Sequence, residues 1–261
     1  MRLERDITPA EVDEFTRTGS GPLSSTGIQA SAFLTSEVAK ARGQPDWPDI
    51  QYLLLGTGVY GRQDQETSRS FNIKPGTMRK FYEQAKGKDS FQIMNMVSRP
   101  FTRGEVRLQS RDPLLPLLFD PKYFEDERDM KVCIEGAKRA VDLVENSKTF
   151  RTMNARLLNA SFPGCDHVEF RSDAYWECFH RQYSLTVYHQ SGTCAMGRRD
   201  SPMAVVDSEL RVIGTQNLRV IDASVMPNVT TGNTNAPTIM IAEMGAHMIK
   251  SAWDSVNELI K

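Results

Sequence analysis

Apolar and polar positions alternate along the first part of the chain in a way that predicts short strands. Two apolar stretches, Ile28–Leu34 and Ile50–Leu55, are separated by Gly43, Pro45 and Pro48 and read as strands. A third is predicted over residues 104–109, where Val106 and Leu108 alternate with charged and polar neighbours as on a half-solvated antiparallel sheet. Residues 1–25 hold turn signals and no sustained period, and residues 112–121 form a Pro-rich turn after which the period becomes helical. Over 129–146, Val132, Cys133, Gly136, Ala137, Ala140, Val141 and Val144 share one face of a long amphipathic helix. Shorter helical patterns cover 149–158 and 173–183, the second behind Ser172 as a cap. A last strand is predicted over 217–222. The C-terminal helix carries Ile239, Ala242, Ala246, Ile249, Trp253, Val256 and Ile260 on its apolar face, with Thr234 or Asn235 as cap and Pro237 in the first turn.

Composition narrows the class. The chain has 261 residues, 39% hydrophobic and 25% charged, enough for a substantial core in one large domain or two intermixed ones. Its 32 Lys and Arg balance 33 Asp and Glu, so no global basic field recruits nucleic acid or an anionic membrane. The longest apolar runs fall far short of the roughly 18 residues of a membrane span. The start has charges where a secretory signal has its apolar stretch, so the expectation is that nothing exports the chain as written and that a segment upstream is missing. Localisation is therefore left unassigned. None of the four cysteines forms a CxxC pair and no metal site is expected. The thiols are read as free and buried. Cys165 and Cys178 are the pair to test for a disulfide, because the Pro163-Gly164 turn lets the chain fold back. Asn159-Ala160-Ser161 and Asn228-Val229-Thr230 match the glycosylation sequon, a pattern common by chance.

Gly56-Thr57-Gly58-Val59-Tyr60-Gly61 matches GxGxxG after a strand, as a dinucleotide-binding turn does. The residues that follow, 62–70, are wholly polar and offer no face to pack as a crossover helix. Glu83, at about the distance of a ribose ligand, lies inside a helical stretch over 78–85. The motif is read as a glycine-rich loop between antiparallel strands.

Chemistry concentrates in residues 183–248. Alone, His189 is a structural histidine and Asn233 a loop or capping residue. Three segments change that reading when taken in order: 188–197 around His189, 219–227 around Asp222 and Ala223, and Gly232-Asn233-Thr234-Asn235-Ala236-Pro237-Thr238 opening the last helix. Together they resemble the C-terminal half of the glucose-methanol-choline (GMC) flavin oxidoreductases, above all the insect glucose-dehydrogenase-like branch. Upstream landmarks extend the resemblance through nearly the whole chain: Gly21-Pro22-Leu23-Ser24-Ser25-Thr26-Gly27, Asp46-Trp47-Pro48-Asp49, Asp120-Pro121-Lys122-Tyr123-Phe124 and Tyr175-Trp176-Glu177-Cys178.

The resemblance implies an α+β fold. Residues 1–25 lead in from the FAD domain, and 26–175 form a substrate-binding domain with an antiparallel sheet backed by helices. Residues 176–261 carry the catalytic histidine, then the strand and helix that complete the FAD-binding domain. It implies FAD as cofactor and a small alcohol or sugar as substrate. His189 takes the hydroxyl proton while hydride passes to flavin N5, a role that a neutral imidazole of pKa about 6.5 suits. Asn233 holds the alcohol oxygen, since an amide cannot act as base. Asp222 and Ala223 meet the FAD pyrophosphate and ribityl chain, Tyr188 lies beside the cofactor, and the helix start at Asn233 and Thr234 faces the flavin pyrimidine.

Three departures follow. Gln190 stands where relatives commonly have Pro, which is expected to loosen the base, and Ala195 where they often have Lys. The third is larger: the N-terminal Rossmann-like half, with the true phosphate turn and ribose ligand, is absent. The isolated chain is therefore expected to bind FAD weakly or not at all, to be inactive alone, and to expose sheet and helix faces. The missing half is its expected partner, and full-length relatives are often secreted. The alternative is a non-catalytic remnant that acts at most as a binding module.

Overall fold

The computed structural model describes residues 3–59 and 63–260, with side chains over 5–59 and 63–254. The chain divides into two units, Met1–Val97 with Asp126–Leu185, and Ser98–Glu125 with Thr186–Lys261. The architecture is mixed α+β with small antiparallel sheets, as expected.

The first unit begins with helices α1 (Leu3–Asp6) and α2 (Pro9–Thr18), then strand β1 (Ile28–Leu34), α3 (Glu37–Ala41) and β2 (Ile50–Leu55). Helices α4 (Gln63–Phe71) and α5 (Thr77–Glu83) lead to β3 (Gln92–Val97), and α6 (Glu127–Asn146), α7 (Lys148–Thr152) and α8 (Asp173–Gln182) complete it. The three strands form an antiparallel sheet in the order β1-β2-β3. Strand β2 lies at its centre, which is why its residues are apolar on both faces and Ile50, Tyr52 and Leu53 are buried. Helix α6 backs the sheet: Ile50, Tyr52 and Val132 form one core cluster. The Tyr52 hydroxyl donates to the Gly136 carbonyl, and the Asn95 amide donates to the Cys133 carbonyl at 2.8 Å. On its other side α6 places Ala137 in a second cluster with Cys165, Tyr175 and Trp176 of the α8 region. Helix α8 starts where Ser172 was expected to cap it, the hydroxyl accepting from the Tyr175 N–H.

Several expectations are corrected here. Strand β3 escaped prediction because Gln92 to Val97 holds only two β-branched residues, Ile93 and Val97, separated by Met94, Asn95 and Met96 with no strict alternation. Residues 63–71, read as loop, form α4, whose Gln63 and Ser68 are buried, so a polar segment found a buried face. The connection from β2 to β3 thus carries two helices, but the sheet is antiparallel, and among the described residues no parallel crossover is formed. Tyr60 and Gly61 of that motif lie outside the described residues. Helix α7 ends at Thr152, short of residue 158.

The reading of the thiols is corrected as well: Cys165 and Cys178 form a disulfide with Cα atoms 5.8 Å apart, while Cys133 is a buried free thiol and Cys194 a half-buried one. Burial pushes the Cys133 thiol up to about 12, so it stays protonated and inert.

In the second unit β4 (Glu105–Arg107) pairs with β5 (Leu118–Asp120), so the end of the Pro-rich segment is itself a strand. Residues 186–234 hold little regular structure. The segment 217–222 is not a strand; it makes one bridge, Arg211 to Arg219, flanked by hydrogen bonds between Val212 and Leu218 and between Val220 and Leu210. Its core gathers Val206, Leu210, Val225, Met226 and Ile241. Helix α9 (Asn235–Ile260) packs through Ile241 and Gly245, not through the face predicted for it. Ile239 and Trp253 of that face are 55% and 65% exposed, whereas the side chains of Val256 and Ile260 are outside the described residues. The physical reason is close approach: a Cβ at Gly245 would stand 2.5 Å from Ile221, so the glycine side alone lets the helix seat against 221.

The disulfide closes a separation of 13 residues, a crosslink expected to stabilise by about 3 kcal/mol through the unfolded chain. Replacing both Cys165 and Cys178 by Ser should lower the urea midpoint accordingly. An unchanged midpoint would show that the crosslink carries no stability.

Candidate active site

The segment carrying His189 is irregular, and side chain and main chain together fix its course. The Thr186 hydroxyl accepts from the Tyr188 N–H at 3.0 Å and from the Gln190 amide at 2.8 Å, clasping the residue between them. Gln190, where a proline was expected, thus makes a local side-chain hydrogen bond. Tyr188 takes a left-handed φ of 61° and is 67% exposed. A non-glycine residue held there costs on the order of 1 kcal/mol or more, and such strain concentrates at functional sites. Gly192, at φ 89°, passes so close to the next segment that a Cβ would meet the Met226 carbonyl at 3.3 Å.

Beyond Gly192 the loop docks by main-chain pairing. The N–H of Cys194 donates to the Ser224 carbonyl at 3.0 Å and that of Met196 to the Val225 carbonyl at 2.8 Å. The acceptors belong to a short 3-10 turn, Ala223–Val225, opened by Asp222, whose carboxylate accepts from the Ser224 N–H at 2.8 Å. On the other side, Val205 donates to Ala195 at 2.8 Å and Gly197 to Val206 at 3.0 Å. Asp207 anchors that second strip. It is buried, accepts from the side chains of Arg199 and Arg211 and from the N–H groups of Glu209 and Arg211, and ends up well below the usual carboxylate range. Burial alone would raise it; the four hydrogen bonds outweigh that.

Asn233 reaches the site from the opposite direction, two residues ahead of α9. Its amide Nδ2 lies 3.3 Å from His189 Nε2. An amide nitrogen only donates, so this contact puts the proton of a neutral imidazole on Nδ1 and leaves Nε2 an acceptor. Burial holds the His189 imidazole below its ordinary value, which favours that neutral form. The pair can take a proton at Nε2 and hold an oxygen at Nδ2.

The expected site residues are thus not equally united. His189 and Asn233 meet directly. Asp222 and Ala223 join them only through the turn on which the histidine segment docks. Thr234 is buried, its carbonyl accepting from Thr238 in the first turn of α9, and Tyr188 stands exposed beside the histidine. Sequence reasoning missed Thr186, for which the signal was a Thr two residues before an exposed Tyr, and Thr230, whose buried hydroxyl has no hydrogen-bond partner in the protein. For Thr230 the sequence held no signal beyond the sequon. Among the described residues no cluster of His, Cys, Asp and Glu suits a metal ion, and no helix is long and apolar enough to cross a membrane.

A family model described as GMC oxidoreductase matches residues 100–242. The chain is 39% identical over 241 residues to "Glucose dehydrogenase [FAD, quinone]" of Drosophila pseudoobscura pseudoobscura, covering 89% of this chain and 35% of that protein. It is 34% identical over 231 residues to the mitochondrial choline dehydrogenase of Mus musculus, covering 86% and 34%. The chain thus spans about a third of the length of these curated relatives. Among solved structures, pyridoxine 4-oxidase from Mesorbium loti is 26% identical with a TM-score of 0.61, covering 85% of this chain and 37% of that one. A formate oxidase variant of Aspergillus oryzae RIB40, at 20% identity, shares the fold with a TM-score of 0.76 over 97% and 44%.

The Asp207 cluster supports the strip beneath the histidine segment, and its sign is testable. A carboxylate held below its unfolded value contributes stability that is present above about pH 3.9 and is lost as pH falls towards its folded value. Asp207→Asn should lower Tm at neutral pH, with the gap to wild type closing as pH drops below that range. A gap independent of pH would show that the charge is not what holds the strip.

Proposed function

Since the chain belongs to the GMC oxidoreductase family, we propose that it is the catalytic-histidine portion of an FAD-dependent dehydrogenase or oxidase of alcohols or sugars. The single observation that carries this reading is the 3.3 Å approach of Asn233 Nδ2 to His189 Nε2 across a loop and a helix start. A fold kept only for binding has no need of an imidazole acceptor beside an amide donor.

The residues present fit one end of FAD. The first N–H groups of α9 are unpaired by the helix itself and favour negative charge, and the Thr230 hydroxyl is buried without a protein partner in the loop leading to Asn233. Main-chain groups of the turn at Asp222 and Ala223 complete that end, with Tyr188 beside it. The phosphate-binding turn of a parallel βαβ unit is not formed among the described residues, so this chain supplies only part of the site. When bound, FAD supplies the acceptor for the hydride that leaves the alcohol carbon.

The chain's own residues then have defined tasks. His189 Nε2 removes the hydroxyl proton. Asn233 Nδ2 donates to the same oxygen and fixes its position relative to the base. The Thr186–Gln190 clasp keeps the imidazole in register.

The relatives named for glucose and choline both oxidise through a CH–OH carbon, which sets the substrate class and no more. Alone, the chain is expected to be inactive and to bind FAD weakly or not at all, and the length its relatives have beyond it would complete the site.

The test is a chimaera in which the N-terminal portion of a glucose dehydrogenase relative precedes this chain. It should purify with bound-flavin absorbance that bleaches on adding an alcohol or sugar. His189→Ala should lower kcat by about a hundredfold to ten-thousandfold. Activity should rise with pH through a midpoint below the usual imidazole value of about 6.5 and be flat at neutral pH. A chimaera that binds flavin but is indifferent to His189→Ala would overturn the assignment of the base, and one that binds none would favour a non-catalytic remnant.

A further inference from the structure

Both sequons present an exposed asparagine, and in both the hydroxyl two residues on, of Ser161 or Thr230, is buried without a partner in the protein. Asn228 offers its side-chain oxygen to Arg103. Asn159 is exposed, in a stretch from residue 153 to 172 that contains no helix or strand. Its neighbours tether that stretch: Ala160 is 7% and Phe162 1% exposed, and Phe162 stacks among Phe81, Phe179 and Tyr183. A bulky hydrophilic group on Asn159 would extend into solvent without disturbing the packing beneath it.

Ser161 supplies the second observation. Its hydroxyl is buried beside a cavity of about 320 Å3 and makes no hydrogen bond to the protein, an arrangement that is unfavourable for the fold. The fold gains nothing from a hydroxyl there that Ala would not provide, whereas an acceptor sequence requires it. The third is the disulfide at Cys165, six positions after Asn159 in the sequence, which forms in oxidising compartments of the kind where such sequons are modified.

We infer that Asn159, whose sequon leads into the disulfide, is an N-glycosylation site, modified before this loop folds and buries Ser161. The Asn159 amide nitrogen forms a bond to C1 of the first sugar of an oligosaccharide carried on a polyprenyl pyrophosphate. The bond from C1 to the pyrophosphate oxygen breaks, the lipid pyrophosphate leaves with its electron pair, and the amide gives up one proton. This rests on the loop and the disulfide, and it is independent of the catalytic reading.

One tryptic product reports both features, because residues 157–171 hold the sequon and Cys165 while 172–181 hold Cys178. In protein from its native source, mass spectrometry should find these two peptides linked, with a glycan that peptide N-glycosidase removes to leave an aspartate at position 159. A linked peptide with bare Asn159 would overturn the inference, as would free thiols with bare Asn159, or a glycan on Asn228 alone. For the recombinant chain sent through a eukaryotic secretory pathway, Ser161→Ala should lose the glycan while keeping the disulfide, and Ser161→Thr should keep both. A glycan that survives Ser161→Ala would equally refute it.

Discussion

Main-chain pairing between the histidine segment and the turn at 223–225 is the constraint on which the candidate site rests. Two hydrogen bonds, from Cys194 to Ser224 and from Met196 to Val225, hold a segment that has no helix or strand of its own. Buried backbone groups must find partners, and in an irregular region those partners decide the path of the chain. Because Ser224 and Val225 are fixed, Gly192 must turn with positive φ against Met226, and the residues before it return towards Asn233. Asn233 is fixed separately, by a helix whose seat depends on Gly245 lying against Ile221. The 3.3 Å contact between the two side chains is the product of these independent restraints.

The first unit is stabilised by a different means. Helix α6 presents Val132 to the sheet and Ala137 to the α8 region, so one helix serves two cores, and its carbonyls at Cys133 and Gly136 accept hydrogen bonds from Asn95 and Tyr52 of the sheet. The disulfide adds a covalent tie where residues 153–172 have no regular structure. Aromatic rings pack around Phe162, with Phe179 edge-on at 5.1 Å and Tyr183 stacked at 5.4 Å.

Much large apolar surface stays in contact with solvent. Ile28 and Phe33 of β1 are exposed, as are Ile239, Met240, Ile249 and Trp253 of α9. Surfaces of this kind mark sites where other protein packs. They accord with a chain that spans about a third of its curated relatives, under the reading that the remaining length completes both the core and the cofactor site.

The sequence by itself determined the elements whose pattern is strong and local. Strands β1 and β2 fall where their apolar runs are bounded by Gly and Pro. Helices α6 and α8 follow their period, and the Ser172 cap needs only its own hydroxyl and a nearby N–H. It also singled out His189 and Asn233, through segments whose order and spacing resemble one family. Tertiary structure decided what local pattern cannot encode. Helix α9 is apolar on more than one face, so only the close approach at Gly245 shows which one is buried. Residues 217–222 have strand-like composition, but a strand needs a ladder, and they find a single bridge. Strand β3 is half-buried and is defined by its ladder with β2, and polar helix α4 buries only Gln63 and Ser68, neither of which a local pattern announces. The pairing of Cys165 with Cys178 and the meeting of His189 with Asn233 bring together residues distant in the chain, and such distances follow from packing rather than from any run of residues.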